Sequence, residues 1–199
     1  MLVVGLTGGI GAGKSSLAAL LAEHGAQIID ADAYGREALR TGQPAWHSVV
    51  DQFGEEVLSG AMEIDRKKLA GVVFKDKDKL AALNAIVHPV IFAGIADSLE
   101  RLANTDSVAV IDAAIIVETG MEKDVDILIV VGADDAARLS RLRGRGMSGE
   151  DVRARMAVQA PPHVLQRKAD IVVDNNGTLE ELAERAEKVW KQLEARSGS

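Results

Sequence analysis

Leu2-Val3-Val4-Gly5-Leu6-Thr7-Gly8-Gly9-Ile10-Gly11-Ala12-Gly13-Lys14-Ser15-Ser16 decides how the rest of the 199-residue chain is read. The apolar run predicts a buried strand over Leu2–Leu6. Glycines follow, and Ser15–His24 has the Ala/Leu pattern of a helix stopped by Gly25. Gly8 to Ser15 fits G-x-x-x-x-G-K-[ST] in the strand–loop–helix context that the motif requires. Glycines let the backbone curl until successive N–H groups point at one anion, and the helix start adds its dipole. Lys14 supplies a point charge between β- and γ-phosphates, and the Ser15 hydroxyl is a ligand for Mg²⁺. The stretch predicts a site for a nucleotide polyphosphate.

Four further runs, Gln27–Ile29, Val108–Ile111, Ile127–Val131 and Ile171–Val173, are rich in Val and Ile and bounded by polar or turn-forming residues. They read as buried parallel strands. Helical patterns lie between them. Asp134 can cap a helix through Leu142, Ser148 and Asp151 start one running to Val158, and Thr178 with Glu181 starts one over Leu179–Leu193. The alternation predicts an open α/β fold, three layers deep around a five-stranded parallel sheet with right-handed crossovers. About 75 residues without a strand pattern separate the second and third strands. Residues 41–102 are expected to form a helical insertion on the substrate side, with core segments at 1–40, 103–135 and 169–199 and a lid at 136–168.

Hydrophobic residues make up 47% of the chain and aromatic ones 3%, so the core must be aliphatic. There is no cysteine, which removes disulfides and thiolate chemistry. The net charge of −7 argues against a general nucleic-acid binder. Residues 136–168 nevertheless carry +6, leaving −13 elsewhere. This basic island includes Arg138, Arg141, Arg143, Arg145, Arg153 and Arg155 around a glycine-rich stretch, and it predicts an anionic partner such as a polyphosphate under an arginine-rich lid. No window reaches the roughly 18–20 uninterrupted apolar residues of a membrane span, and no basic leader precedes Gly8. A cytoplasmic protein is expected.

Ile29-Asp30-Ala31-Asp32 puts two carboxylates at the carboxyl end of the second strand, where open α/β sheets bind ligands. Asp32 is the candidate to orient an acceptor hydroxyl and take its proton, with Arg36 one turn on to steady an acceptor phosphate. Either carboxylate could instead cap the next helix. Asp112, ending the run Val108–Ile111, is a candidate Mg²⁺ ligand, although strands ending in Asp are common. His88-Pro89 marks a predicted break in a helix, with His88 either facing a ligand or buried at the kink. Asn175-Asn176-Gly177 is a tight turn whose backbone could also meet an adenine.

The ordered set resembles the dephospho-CoA kinase family over essentially the whole chain. Gly5 to Ser16, Asp30-Ala31-Asp32, Arg36, Phe53-Gly54, Ile64-Asp65-Arg66, Leu83-Asn84, His88-Pro89, Ala169-Asp170 and Val173 to Thr178 carry the resemblance. It implies a P-loop NTPase core, a helical substrate domain and a mobile lid. It also implies Mg·ATP-dependent phosphorylation of the ribose 3′-hydroxyl of dephospho-CoA. On this resemblance Gly11, Ala12, Gly13, Lys14, Ser15 and Ser16, next to Gly9, hold ATP phosphates. Asp32 is similar to the family's base, and Arg141 and Arg145 match its lid arginines. Asn175 and Gly177 are placed on the nucleotide side, and Arg36 and His88 on the acceptor side. The chain departs from the family in having Ala113-Ala114-Ile115-Ile116, without proline, ahead of Glu118. Partners are then small molecules, with no nucleic acid or membrane and a monomer or weak homo-oligomer. The rival readings are another small-molecule kinase, such as a shikimate-kinase-like enzyme, or a nucleoside monophosphate kinase, and an ATP-binding switch without an acceptor.

Overall fold

The computed structural model describes residues 1–144 and 146–197. Five parallel strands, β1 (Leu2–Gly8), β2 (Gln27–Asp30), β3 (Val108–Asp112), β4 (Ile127–Gly132) and β5 (Ile171–Asp174), form one sheet in the order β2-β3-β1-β4-β5. Each predicted strand is present and runs one or two residues further at its carboxyl end. Apart from Thr7, those added residues are Gly or Asp, where an apolar pattern stops while backbone pairing continues. Leu6 and Asp30 are both register partners of Asp112, and Gly132 partners Asp174. The carboxyl edge of the sheet therefore gathers carboxylates and glycines, as a ligand-binding edge requires.

The described helices are α1 (Lys14–Glu23), α2 (Ala31–Ala38), α3 (Pro44–Phe53), α4 (Arg66–Val73), α5 (Lys77–Leu102), α6 (Ile116–Thr119), α7 (Asp135–Gly144), α8 (Gly149–Val158), α9 (Pro162–Lys168) and α10 (Leu179–Ser197). The predicted caps form. Ser148 Oγ accepts from Asp151 N at 3.1 Å, and Thr178 Oγ1 accepts from Glu181 N at 3.3 Å.

The chain divides into two compact units, Met1–Asp30 together with the chain from Ser98 onward, and Ala31–Asp97. In the first, Leu17 and Leu21 of α1 and Leu182, Val189 and Leu193 of α10 cluster with Val4, Leu6, Val110 and Ile129 on one sheet face. Each such leucine contributes about 1.5–3 kcal/mol through burial. On the other face Ile116 and Leu128 press so close to Gly5 that a Cβ there would lie 3.1–3.3 Å from their methyl groups, and α9 packs along β4. Helices on both faces make the three-layer α/β/α arrangement.

In the second unit Val49, Phe53, Val57, Leu69 and Val73 form the core, with Leu83 and Ile86 of α5 packed against it. The predicted break at Pro89 does not occur, because α5 runs unbroken through it. The proline removes one hydrogen bond, to the Ala85 carbonyl. Burial of Ile91 and Ile95, and a Tyr34 ring so close to Gly94 that a Cβ would meet it at 2.7 Å, hold the helix on either side. Reading uninterrupted runs also missed that α5 is long and apolar enough, by length and composition, to cross a membrane, with a window of mean hydropathy 1.6.

Candidate active site

The loop after β1 is shaped from behind. Its glycines take backbone conformations that L side chains rarely adopt, Gly11 at φ +79° and Gly13 at φ +101°. At Gly13 a Cβ would also lie 2.1 Å from Asn175 Nδ2. Ala12 N donates to Gly9 O at 2.9 Å, closing the turn. Three side chains then fix its carbonyls. Arg138 Nε donates to Ile10 O at 2.9 Å. Asn175 Nδ2 donates to Ala12 O at 2.7 Å. Arg141 Nη1 lies 3.4 Å from both Gly11 O and Ala12 O. In a trans peptide the C=O and the following N–H point in opposite directions. Anchoring the Ile10 and Ala12 carbonyls behind the loop therefore turns the Gly11 and Gly13 N–H groups inward. The first turn of α1 holds no acidic side chain and Gly13 supplies no side-chain cap, so the helix start stays open to an anion.

Lys14 Nζ lies 2.5 Å from Asp112 Oδ1, with both side chains largely buried at 11% and 9% exposure. The contact is an ion pair between two largely buried charges. Ser15 is exposed on the first turn of α1. The donor set suits a hard cation, one hydroxyl and one carboxylate being the kind of oxygen donors that Mg²⁺ takes alongside water and substrate phosphates. Among the described residues no cluster of three His, Cys, Asp or Glu side chains forms a metal cage.

Of the basic island, Arg138 is 4% exposed. It pairs with Asp135 at 3.1 Å while bonding Ile10. Arg141 also donates to Asn175 O at 2.8 Å. Arg143, Arg153 and Arg155 are exposed. Arg145 lies outside the described residues. Asn175 is buried and spends its groups within the protein, since its N–H donates to Gly132 O at 2.8 Å. Gly177 follows in the turn before α10. Ser16 belongs to the same first turn as Ser15, its N–H bonded to Gly13 O at 3.0 Å.

Asp32, Arg36 and His88 belong to the second unit. Asp32 lies inside the first turn of α2 rather than ahead of it, and Arg36 in the last. The His88 ring tilts against Phe92 at 5.6 Å, and burial lowers its pKa from the ordinary value near 6.5, which favours the neutral imidazole.

Sequence reasoning left two site residues without a role. Arg138 was one arginine among several, and Gln159 carried no signal at all. Gln159 Oε1 accepts from Ile10 N at 2.8 Å, and the next residue's N–H, that of Ala160, donates to Glu118 Oε1 at 2.9 Å. These bonds tie the end of the basic segment to the phosphate loop and to α6, and they give Glu118 a holding role.

Comparison with known proteins agrees with this geometry. A family model described as dephospho-CoA kinase matches residues 2–181. A Streptomyces avermitilis dephospho-CoA kinase is 48% identical over 194 residues, covering 97% of this chain and 94% of the relative. One from Thermobifida fusca is 44% identical, covering 98% of each. A crystal structure of the Thermus thermophilus protein TT1252 superposes with a TM-score of 0.80 at 33% identity, covering 96% of this chain and 97% of that one.

Proposed function

The chain belongs to the dephospho-CoA kinase family, and from that premise we propose that it transfers the γ-phosphate of ATP to the ribose 3′-hydroxyl of dephospho-CoA, giving CoA and ADP, the final step of coenzyme A synthesis. The observation that carries this reading is the anchored loop, whose carbonyls are held by Arg138 and Asn175 so that Gly11 and Gly13 offer N–H groups to a phosphate chain.

The chain's own groups divide the work. Gly9 to Ser16 cradle the phosphates, and Lys14 exchanges its contact with Asp112 for the β- and γ-phosphate oxygens. Asp32 orients the acceptor's 3′-hydroxyl and receives its proton as the new O–P bond forms. The bond from the γ-phosphorus to the β–γ bridging oxygen breaks, and ADP leaves. Arg36 steadies a phosphate of the acceptor, and His88, as a neutral imidazole, contributes a hydrogen bond rather than a charge. Arg141 and Arg145 stabilise charge spread over the transferring group. Asn175 acts on the nucleotide through the loop it shapes, and Gly177 lies on the adenine side. Ser15 and Asp112 hold Mg²⁺, which when bound supplies charge neutralisation on the phosphates.

We extend the reading to organisation as well. Residues 41–102 act as the acceptor-side insertion, 136–168 as the lid, and the remainder as the core. The protein works in the cytoplasm on small molecules alone, without nucleic acid or membrane, as a monomer or weak homo-oligomer. Despite its length and apolarity, α5 is a domain helix. Asn84 and His88 interrupt its apolar sequence, and Ile91 and Ile95 are buried in the protein. The test is an ADP-release assay with ATP, Mg²⁺ and a panel of acceptors. Turnover that depends on dephospho-CoA supports the reading, while shikimate-dependent or acceptor-independent turnover overturns it.

A further inference from the structure

Both backbone groups of one loop residue, Ile10, are held by the two ends of the basic segment. Arg138 Nε donates to its carbonyl at 2.9 Å, and its N–H donates to Gln159 Oε1 at 2.8 Å. Arg138 stands on α7, and Gln159 closes α8 as its C-cap residue, in extended backbone at φ −85° and ψ 152°. The next residue is tied as well, since Ala160 N donates to Glu118 Oε1 at 2.9 Å. Glu118 belongs to α6, the helix that follows Asp112, the partner of Lys14. Pro161 and Pro162 then start α9, whose Leu165 is buried and which packs along β4. The carboxyl end of α8 is therefore moored between the phosphate loop and α6.

Arg155 and Gln159 share one face of α8, one turn and about 6 Å apart along its axis. That face turns to the loop, because Gln159 reaches Ile10 from it. Arg153 lies about 200° round the helix from Arg155. It runs back toward the helix start, where its Nη1 would be 3.5 Å from a Cβ at Gly149. Arg138 and Arg141 already spend donors on loop carbonyls. Arg155 is exposed and bonds to no other described residue.

We propose that Gln159 is a positioning residue for phosphate transfer, clipping the end of α8 to Ile10 so that Arg155 reaches the terminal phosphate of a bound nucleoside triphosphate. The proposal rests on the nucleotide reading above and is independent of the acceptor's identity. The loop amides cradle the inner phosphates and Lys14 reaches outward from them, so the terminal phosphate is the part that projects past the loop. A guanidinium fork matches its oxygens, and one carried on a moored helix end loses less freedom on binding than one on a loose segment.

The experiment titrates Mg·ATP and Mg·ADP calorimetrically, without acceptor, into the native protein, Gln159→Met, Arg155→Ala, their double variant and Arg153→Ala. Gln159→Met keeps the length of the side chain and removes the accepting oxygen. The ratio of ATP to ADP affinity should fall about 10-fold in Gln159→Met and in Arg155→Ala. The double variant should also lose about 10-fold rather than about 100-fold, because the glutamine acts through the arginine. ADP affinity should stay native throughout, since Arg138 and Asn175 still anchor the loop. Arg153→Ala should keep the native ratio. An unchanged ratio in Arg155→Ala, equal losses of ATP and ADP in Gln159→Met, or losses that multiply in the double variant overturn the proposal. A native protein that binds neither nucleotide refutes the nucleotide reading and this proposal together. One that binds both as predicted but turns over no dephospho-CoA refutes the acceptor reading alone. Gln159→Met gives up one part-buried bond, so a melting temperature near the native value is expected. Should it not fold, Arg155→Ala against Arg153→Ala decides, a fall confined to Arg155→Ala supporting the proposal and a fall in both or in neither rejecting it.

Discussion

Lys14 Nζ and Asp112 Oδ1 stand 2.5 Å apart across the ends of two adjacent strands, one following β1 and the other closing β3. The pair holds the phosphate-binding ammonium in place before any phosphate arrives. On the proposed reading the strand-end acid would have two tasks, neutralising Lys14 and serving with Ser15 as a donor that would hold Mg²⁺.

Asp112→Asn separates those tasks. Removing the charge leaves Lys14 largely buried without its principal counter-ion, and the empty protein should lose about 3 kcal/mol of stability. Excess ATP without Mg²⁺ gives Lys14 a new counter-ion, so the ATP-induced rise in melting temperature should be larger in the variant than in the native chain. Equal rises in the two proteins would remove Asp112 from the role of Lys14 partner.

Asp32→Asn tests proton acceptance. The variant should bind ATP as the native protein does, yet lose at least about 10²-fold in kcat, the usual scale for a general base. Nucleotide titration and steady-state rates measure the two halves separately, and near-native turnover would take Asp32 out of the chemistry.

Gly13→Ala attacks the loop itself. The new methyl group falls on Asn175 Nδ2, 2.1 Å away, in a backbone conformation with φ +101°. Either the Ala12 carbonyl loses its anchor or the loop shifts, and both turn the Gly13 N–H away from the phosphate. ATP affinity should drop by about 10²-fold, with at least about 1–2 kcal/mol lost from stability. Retained affinity would mean that the carbonyl anchoring does not shape the cradle.

His88 sets a pH effect. Burial lowers its folded-state pKa, so the unfolded chain binds the proton more readily. Stability contributed by the neutral ring is present above the ordinary histidine value near 6.5 and falls as pH drops below it. His88→Gln should flatten the fall in melting temperature as pH drops below about 6.5 relative to the native chain. An unaltered slope would show that the ring titrates alike folded and unfolded.

Much of this was legible in the sequence, and the exceptions have physical reasons. The strands and the phosphate loop announce themselves through local pattern, apolar runs ending in Gly8, Asp112 or Asp174 and a motif confined to eight residues. Ser148 and Thr178 likewise sit within three residues of what they cap. Arg138 and Gln159 could not be singled out, because their partner Ile10 lies 128 and 149 positions away and only the folded sheet brings them together. Pro89 was misread as a break because local propensity counts the lost hydrogen bond but not the packing of Tyr34 on Gly94 that holds the helix. The backbone angle of φ +61° at Met62 has no linear signature, since the bonds its carbonyl accepts come from Thr41 and Trp46, 21 and 16 positions away.

The central claim is transfer of phosphate to one particular hydroxyl. The most direct test is ³¹P NMR of the product formed from dephospho-CoA and Mg·ATP, with ADP quantified alongside. The account predicts one new phosphomonoester on the ribose 3′-oxygen, equal in amount to the ADP released. ADP accompanied by free inorganic phosphate, or phosphate on another position, would contradict it.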